Sequence, residues 1–389
     1  MEMDVRSAGR TTEPGTPSAK VRNLTEWEFL ALNSELNVAD GHARQALTPG
    51  QSKVIDELPL IFTEGEQRPV AEIEREAHRA YFTLLGQHSY PSGPGRVLSC
   101  YSSSVAMEIL SRALVSRIST VALLHPTFDN IADLLRGNGL RLVPLEEDPL
   151  HTADLDPELL KSVGCIFITT PNNPTGRVLG EERLRRIAEQ CAEHDVILAL
   201  DTSFRGFDPR AHYDHYAVLN DSGCRWAVIE DTGKLWPTLD LKVGLLVGSE
   251  NLGLPVDKIY SDILLGVSPL VLVLARRFAV DAAEGGLEDL HDFIDANRRL
   301  VRETLTGLDG VSFPDPDSRV SVERVHVGDR LGQDVWMTLQ EHNVYALPCG
   351  QFHWARHSEG DHTLRLALAR DPESLQRSVN ALRAVLEAR

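Results

Sequence analysis

One lysine follows a short apolar run in a setting that favours chemistry. The run Trp226 to Glu230 is followed by a polar turn at 231–233 and then by Lys234. We predict that the run is a buried strand that delivers this lysine. The apolar residues 235–237 come next and would desolvate the amine, which frees its lone pair for attack on a carbonyl carbon. A lone segment of this kind is more often a solvated loop, so its interpretation depends on neighbouring motifs.

Two upstream segments have the same form. The apolar run Cys165 to Thr170 leads into PNNPTG, which contains Asn173, and the run Val196 to Leu200 ends at Asp201. Because the carboxyl ends of parallel strands meet at one edge of a sheet, we expect Asn173, Asp201 and Lys234 to face one pocket. Pyridoxal 5'-phosphate (PLP) needs a lysine for its Schiff base, a carboxylate for its pyridine nitrogen and a partner for its phenolic oxygen. The three residues therefore predict a PLP site.

PNNPTG, then Asp201, then Lys234 with Lys242 behind it, resembles the fold-type I PLP enzymes, the aspartate-aminotransferase-like superfamily. The resemblance implies an α/β fold, in which a large domain carries a mostly parallel sheet between helices and a smaller α/β domain follows. It also implies a homodimer, since these enzymes commonly build the active site across a subunit interface. We expect four parts: a disordered N-terminus at 1–22, a lid helix and turn at 23–45, a large PLP-binding domain at 60–285, and a small C-terminal domain at 286–389.

Local patterns predict several further elements. Thr25 and Glu28 have the spacing of a capping box and place a helix after Asn23. Alternating or amphipathic runs predict the other elements. These are strands at 96–100, 121–124, 320–322 and 344–347, and helices at 69–86, 286–305 and 373–388.

A cluster of serines follows the predicted strand at 96–100. Ser103 and Ser104 stand at the start of a helix, where hydroxyls and free backbone N–H groups bind anions. The resemblance implies that they hold the PLP phosphate, and that Phe128 stacks on the ring. The simpler alternatives are a serine that only caps the helix and a phenylalanine that only packs in the core.

An arginine lies inside an apolar strand near the end of the chain, in the sequence TLRLALA. Such an arginine must be paired or face a ligand, and its planar guanidinium matches a carboxylate. The resemblance assigns Arg365 to the α-carboxylate of the substrate, and a structural salt bridge is the alternative.

Three positions depart from the aminotransferase pattern. Phe204 replaces a frequent tyrosine, Asp231 replaces a serine or threonine that touches the phosphate, and Lys242 replaces the arginine that supports it. A carboxylate repels a phosphate unless it turns toward a cation. These departures argue against simple transamination and indicate a positively charged substrate.

Longer strings, among them TEWEFLALNSELN, DGHARQAL, SCYSSSV, EDTGKLWPTLDLK and LPCGQFHWA, resemble the PLP-dependent L-arginine oxidases (hydroxylases) of enduracididine-type antibiotic biosynthesis. The resemblance implies oxidation of L-arginine by O2, without a metal, to 4-hydroxy-2-oxoarginine and 2-oxoarginine, with H2O2 and ammonia. In this reading Glu28 and Asp231 bind the guanidinium, and His42 is the base that activates water. The functional positions it implies are Thr25, Glu28, His42, Asn173, Asp201, Asp231, Lys234 and Arg365.

Composition limits the alternatives. A formal charge of −18 disfavours nucleic acid and anionic membranes as partners. No apolar stretch is long enough to span a bilayer, no signal peptide is recognisable, and the five cysteines are scattered, so we expect a cytoplasmic protein with reduced thiols. Two other functions stay open: a class I/II aminotransferase acting on arginine or another basic amino acid, and a non-catalytic regulator with a PLP fold.

Overall fold

The structure is a computed structural model that describes residues 23–388. The predicted disordered segment, 1–22, lies outside the described residues. The helices are α1 Leu24–Ala31, α2 Pro49–Asp56, α3 Leu58–Gln67, α4 Val70–Leu84, α5 Ser103–Val115, α6 Asp129–Gly137, α7 Glu147–Thr152, α8 Pro157–Ser162, α9 Glu181–Glu193, α10 His215–Asp221, α11 Val256–Ile263, α12 Pro269–Asp281, α13 Leu287–Leu305, α14 Gly332–Glu341 and α15 Pro372–Glu387.

The strands form three sheets. They are β1 Leu36–Asn37, β2 Val97–Cys100, β3 Thr120–His125, β4 Arg141–Glu146, β5 Cys165–Thr169, β6 Ile197–Asp201, β7 Trp226–Asp231, β8 Gly244–Gly248, β9 Val311–Ser312, β10 Val322–Val327, β11 Val344–Tyr345, β12 Leu347–Pro348 and β13 Thr363–Ala367.

The largest sheet has seven strands in the order β2-β8-β7-β6-β5-β3-β4. The five strands from β4 to β7 are parallel, whereas β8 runs antiparallel to both β7 and β2. Side chains of β5 alternate between two cores, since Ile166 and Ile168 enter one and Cys165 and Phe167 enter the other. A sheet buried on both faces explains why these strands read as continuous apolar runs. The predicted α/β fold with a mostly parallel sheet is confirmed.

A second sheet, with the order β12-β13-β10-β9, is antiparallel. It places Arg365 of β13 between Arg324 of β10 and Leu347 of β12. A third, two-stranded sheet pairs β1 with β11 in parallel. The segment after α1 is therefore tied to the C-terminal part of the chain.

Several predicted boundaries are wrong by a few residues, and some helices were missed. The predicted capping box of Thr25 and Glu28 does not form, because the helix already begins at Leu24 and its N-cap is Asn23, whose side chain accepts from the Glu26 N–H at 3.0 Å. The strand predicted at 320–322 starts only at Val322. The helices α2 and α3 were not predicted, although Thr48 and Gln51 form a capping box at the start of α2.

Helix α1 packs on the start of α6. The Leu24 N–H donates to Asp129 Oδ2 at 2.9 Å, and the Asn23 side chain donates to Asp133 Oδ2 at 3.1 Å. The ring of Trp27 lies 5.2 Å from that of Trp336. Three buried apolar residues, Leu24, Trp27 and Ala31, and the buried carboxylate of Asp129 thus hold this short helix in place.

No helix in the described part of the chain has both the length and the apolar character needed to cross a bilayer.

The carboxyl group that anchors α1 makes stability depend on pH. Burial raises the pKa of Asp129 to about 7, the Leu24 N–H opposes that rise, and Asp133 and Glu28 add to it. A raised pKa means that the folded state favours the protonated acid, so this group's unfavourable contribution grows as pH rises from about 4 to about 7.

We therefore expect Asp129→Asn to raise the Tm above pH 7, because it removes a destabilisation of roughly 4 kcal/mol at most. The gain should shrink steadily as pH falls from about 7 toward 4 and be nearly gone there, because the wild-type acid then stays protonated in the folded state and is increasingly protonated in the unfolded state. Thermal unfolding between pH 4 and 8.5 measures this, with the exposed Asp262→Asn as the control. A difference in Tm that does not vary with pH would contradict the assignment.

Candidate active site

A cavity of about 410 Å³ lies at the carboxyl ends of β5, β6 and β7. Helices α1 and α5 begin beside it. The structure brings every site residue predicted from the sequence to its lining. These twelve residues are Thr25, Glu28, His42, Ser103, Ser104, Phe128, Asn173, Asp201, Asp231, Lys234, Lys242 and Arg365.

Asp201 is the last residue of β6, and its carboxylate is held from the following turn. Its Oδ1 atom accepts from the Ser203 N–H at 3.0 Å and from the Ser203 hydroxyl at 2.5 Å. Burial raises the pKa of Asp201, although Ser203 and Lys234 oppose that rise. Asp201 has no salt bridge among the described residues, so a protonated ring nitrogen would supply the missing cation. Ser203 was missed because only the folded turn aims it at Asp201.

Asp231 is the last residue of β7 and turns toward donors. Its Oδ2 accepts from the Ser103 hydroxyl at 2.6 Å, and its Oδ1 accepts from the Gly233 N–H at 2.7 Å. Burial alone would raise the pKa of Asp231, but Lys234, Ser103 and Lys242 outweigh it and the pKa is lowered. The carboxylate is thus stabilised as an anion at the start of α5.

The start of α5 places two serines beside the cavity, where the Ser103 hydroxyl donates to Asp231 and the Ser104 hydroxyl accepts from Asn130. Ser102 caps the helix, since its side chain accepts from the Val105 N–H at 3.2 Å. Ser103 and Ser104 fall in the first turn, where backbone N–H groups are free to bind an anion. Gly244 of β8 lies so close that an added Cβ would meet the Ser102 carbonyl carbon at 2.2 Å. A glycine is therefore required for this approach.

Lys234 reaches the cavity from the turn after β7. Its Nζ lies 5.1 Å from the centre of the Phe204 ring, a cation–π contact. The residues after it, Leu235 and Trp236, are buried as predicted. Phe204, which stands where the family often has a tyrosine, thus contacts the lysine through its ring face.

Asn173 and Phe128 complete the place for a cofactor ring. The side-chain oxygen of Asn173 is buried and has no hydrogen-bond partner within the described part of the chain. Phe128 lines the cavity, and its ring packs at 5.8 Å against Phe352. A buried amide whose NH2 can donate to a phenolic oxygen, a carboxylate lacking a cation, a lysine and two hydroxyls at a helix start are the groups that PLP needs, so the residues present fit this cofactor.

Arg365 is fully buried and only partly paired. Its Nη2 donates to Glu28 Oε1 at 3.3 Å, and its Nε and Nη1 have no hydrogen-bond partner among residues 23–388. The ring of Phe352 lies 5.7 Å from its guanidinium carbon. Buried donors without partners are costly, so they favour a bound carboxylate. Glu28, predicted to bind a guanidinium group, forms an ion pair with Arg365 in this structure.

His42 lies between two charged groups. Its Nε2 is 2.7 Å from Lys242 Nζ, and its Nδ1 is 3.3 Å from Asp40 Oδ1. Asp40 was not predicted as a functional residue, although it stands two residues before His42 in the sequence DGH.

A second cavity, about 800 Å³, is lined by His125, His353 and Glu359 and contains none of the twelve predicted residues. One ligand atom from each of these three lies within 4.8 Å of the others, a spacing that suits a metal ion. The Arg356 guanidinium, however, donates to both Glu359 and Glu146 at this place. We read the group as a salt-bridge cluster.

Comparison with known proteins identifies relatives of two kinds. The family model described as "Aminotransferase class I and II" matches residues 69–382. A solved structure of MppP, soaked with the product 2-ketoarginine, is 71% identical with a TM-score of 0.90, and the alignment covers 91% of this chain and 100% of that one. Aspartate aminotransferase from Thermus thermophilus with maleate shares the fold, with 18% identity, a TM-score of 0.75 and coverage of 94% and 97%.

Curated relatives are more distant. The putative aminotransferase YugH of Bacillus subtilis is 25% identical over 230 residues, which are 58% of each chain. Mouse kynurenine–oxoglutarate transaminase 1 is 27% identical over 186 residues, and the chain spans only 43% of its length. The family model matches well over half of the 389 residues of this chain, so the chain belongs to the class I and II aminotransferase family.

Proposed function

We propose that this protein is a PLP-dependent L-arginine oxidase. It consumes O2 and converts L-arginine into 4-hydroxy-2-oxoarginine and 2-oxoarginine, with release of H2O2 and ammonia. The observation that carries this proposal is the 71% identity to the whole of MppP, whose structure was soaked with the product 2-ketoarginine. That molecule is arginine with its α-amino group replaced by an oxo group.

Arg365 and Glu28 would exchange partners when arginine binds. The α-carboxylate of arginine takes the two donors of Arg365 that lack partners, and Glu28 is then released toward the guanidinium group. A second carboxylate, Asp231, already lies in the cavity in its anionic form. Planar carboxylates suit a delocalised cation, so this pair selects a substrate that is positively charged at its far end.

Lys234 would accept the α-proton of the substrate, and Asp201 would stabilise the positive charge on the cofactor's ring nitrogen. PLP, when bound, supplies a conjugated ring that accepts the electron pair released from the α-carbon. Lys234 accepts the α-proton, and Asp201 holds the proton on the ring nitrogen. Phe204 offers no hydroxyl to the phenolic oxygen, so Asn173 is left as its side-chain partner in this group.

Thr25 and Glu28 bring α1 into the site. Both residues line the cavity, while Leu24 and Trp27 on the same helix are buried against α6 and α14. We propose that α1 and the turn up to residue 45 act as a lid that excludes bulk water, ahead of a large domain at 60–285 and a small one at 286–389.

A homodimer, a cytoplasmic location and a role in antibiotic biosynthesis belong to the same proposal. Sedimentation of the active protein tests the dimer.

A second candidate function is transamination of arginine or another basic amino acid. The family match favours it, because aminotransferases give that family its name. The two functions differ in their second substrate. An oxidase uses O2, whereas an aminotransferase needs a 2-oxo acid as acceptor.

Oxygen uptake by the PLP-loaded protein with L-arginine, in the absence of any 2-oxo acid, separates them. Mass spectrometry of the products formed in water labelled with heavy oxygen identifies the source of the hydroxyl group. We expect uptake together with a labelled hydroxyl group in 4-hydroxy-2-oxoarginine. Turnover that requires pyruvate or 2-oxoglutarate would overturn the proposal in favour of the aminotransferase.

Lys234→Ala should reduce oxygen uptake by roughly a thousandfold or more, because it removes both the attachment of PLP and the group that accepts the α-proton. Borohydride should no longer fix PLP to the chain. The matched control is Lys258→Ala, since Lys258 is exposed and pairs with Asp262 on the surface. Oxygen uptake by Lys234→Ala at the wild-type rate would contradict the role of this lysine.

Glu28→Gln should raise the KM for L-arginine by about tenfold or more, because a charge-assisted contact with the guanidinium group is lost. The same substitution should have a smaller effect on L-norleucine, which has no terminal charge. Glu26→Gln, on an exposed position of the same helix, serves as the control. Equal changes for both substrates would show that Glu28 does not recognise the guanidinium group.

A further inference from the structure

We propose that Asp40 is the positioning residue that orients the His42 imidazole, and that it thereby sets the share of product that is hydroxylated. The inference rests on the proposed function, in which His42 takes a proton from the water that hydroxylates the substrate. Asp40 itself does not line the cavity, so it acts through His42.

Asp40 and His42 form a local pair. Asp40 Oδ1 lies 3.3 Å from His42 Nδ1 and also accepts from the His42 backbone N–H at 3.0 Å. The Asp40 side chain is 1% exposed, whereas that of His42 is 27% exposed. The buried carboxylate therefore fixes the inner edge of the ring, and the outer edge reaches the cavity.

The Asp40 carboxylate is itself held from several sides. Its Oδ2 accepts from the Asn37 side chain at 2.7 Å and from Arg44 Nε at 2.8 Å. Arg370 is buried beside it and donates to the backbone carbonyls of Asn37, Asp40 and His42. Burial would raise the pKa of Asp40, but the hydrogen bond with His42 and the charges of Arg370 and Arg44 lower it well below its ordinary value. The group is thus a fixed anion.

A fixed anion beside Nδ1 determines which ring nitrogen of His42 is the basic one. When Nδ1–H donates to a carboxylate, the neutral ring carries its lone pair on Nε2, and Nε2 becomes the basic atom. His42 Nε2 accepts from Lys242 Nζ at 2.7 Å, which agrees with a lone pair on that atom. Water can take this place only when Lys242 turns to the cofactor phosphate, the partner that the resemblance assigns to it. The same carboxylate stabilises the imidazolium that forms once Nε2 has taken a proton from water.

A second carboxylate near His42 offers a matched comparison. Asp240 Oδ1 lies 3.8 Å from His42 Nδ1 and 3.6 Å from Lys242 Nζ, but its side chain is 50% exposed. An exposed charge at this distance is screened by water and does not fix the ring. The geometry thus favours Asp40 over Asp240 as the residue that orients His42.

The test compares Asp40→Asn with Asp240→Asn in the full-length, PLP-loaded protein given L-arginine and O2. Three quantities are measured: the rate of oxygen uptake, the KM for arginine, and the ratio of 4-hydroxy-2-oxoarginine to 2-oxoarginine at several pH values. For Asp40→Asn we expect that ratio to fall by roughly tenfold while oxygen uptake continues. Asp240→Asn should keep the wild-type ratio at every pH.

An additional variant, Asp40→Glu, keeps the proposal testable if Asp40→Asn does not fold. Asp40→Glu keeps the negative charge that Arg44 and Arg370 require but displaces the carboxylate by one methylene. If both variants fold, we expect Asp40→Glu to form a larger hydroxylated fraction than Asp40→Asn. If Asp40→Asn does not fold, we expect Asp40→Glu to show a product ratio below that of the wild type. A loss confined to stability would leave the ratio unchanged in the folded fraction.

The outcomes separate the two proposals. If the wild-type protein forms no hydroxylated product or needs a 2-oxo acid, the proposed function fails. If the wild-type ratio is normal and both Asp40 variants keep it, or if Asp240→Asn lowers it equally, only the inference about Asp40 is overturned.

Discussion

Negative charge buried at the carboxyl ends of β6 and β7 is the constraint on which the site depends. Glu230 and Arg205 are both 0% exposed and lie 3.0 Å apart, and the Tyr216 hydroxyl donates to the same carboxylate. Asp231, the next residue, is stabilised by Lys234, Ser103 and Lys242. Buried carboxylates are tolerated only when cations and hydrogen bonds compensate them. The lysine expected to hold the cofactor is therefore also part of what makes the strand end stable.

The N-terminal segment reaches the site through arginines of the C-terminal part. Arg365 pairs with Glu28 of α1, and Arg370 binds the backbone around Asp40 and His42. The short strand β1 pairs with β11 in the same region. Because both arginines are buried, moving this segment would leave their charges unmatched. The proposed lid and the arginine expected to bind the substrate carboxylate are therefore connected through buried contacts.

The sequence was sufficient to predict the strands that lead to Asn173, Asp201 and Lys234, because buried parallel strands read as apolar runs and polar residues follow them. Contacts between distant segments could not be predicted from the sequence. The bond from Ser203 to Asp201 depends on a turn, and the pair of Glu28 with Arg365 joins residues 337 positions apart. The proposed role of Asp40 depends on its contacts with Asn37, Arg44 and Arg370, which only the folded chain brings together. The antiparallel direction of β8 likewise depends on its pairing with β2 and β7.

PLP-loaded protein mixed with L-arginine in the strict absence of oxygen distinguishes an oxidase from an aminotransferase. An oxidase must pass two electrons to O2 before its 2-oxo product is complete, whereas an aminotransferase releases one 2-oxo product per site by leaving the amino group on the cofactor. We expect no 2-oxoarginine until oxygen is admitted, and then release of both 2-oxo products. One equivalent of 2-oxoarginine per site, formed without oxygen, would contradict it.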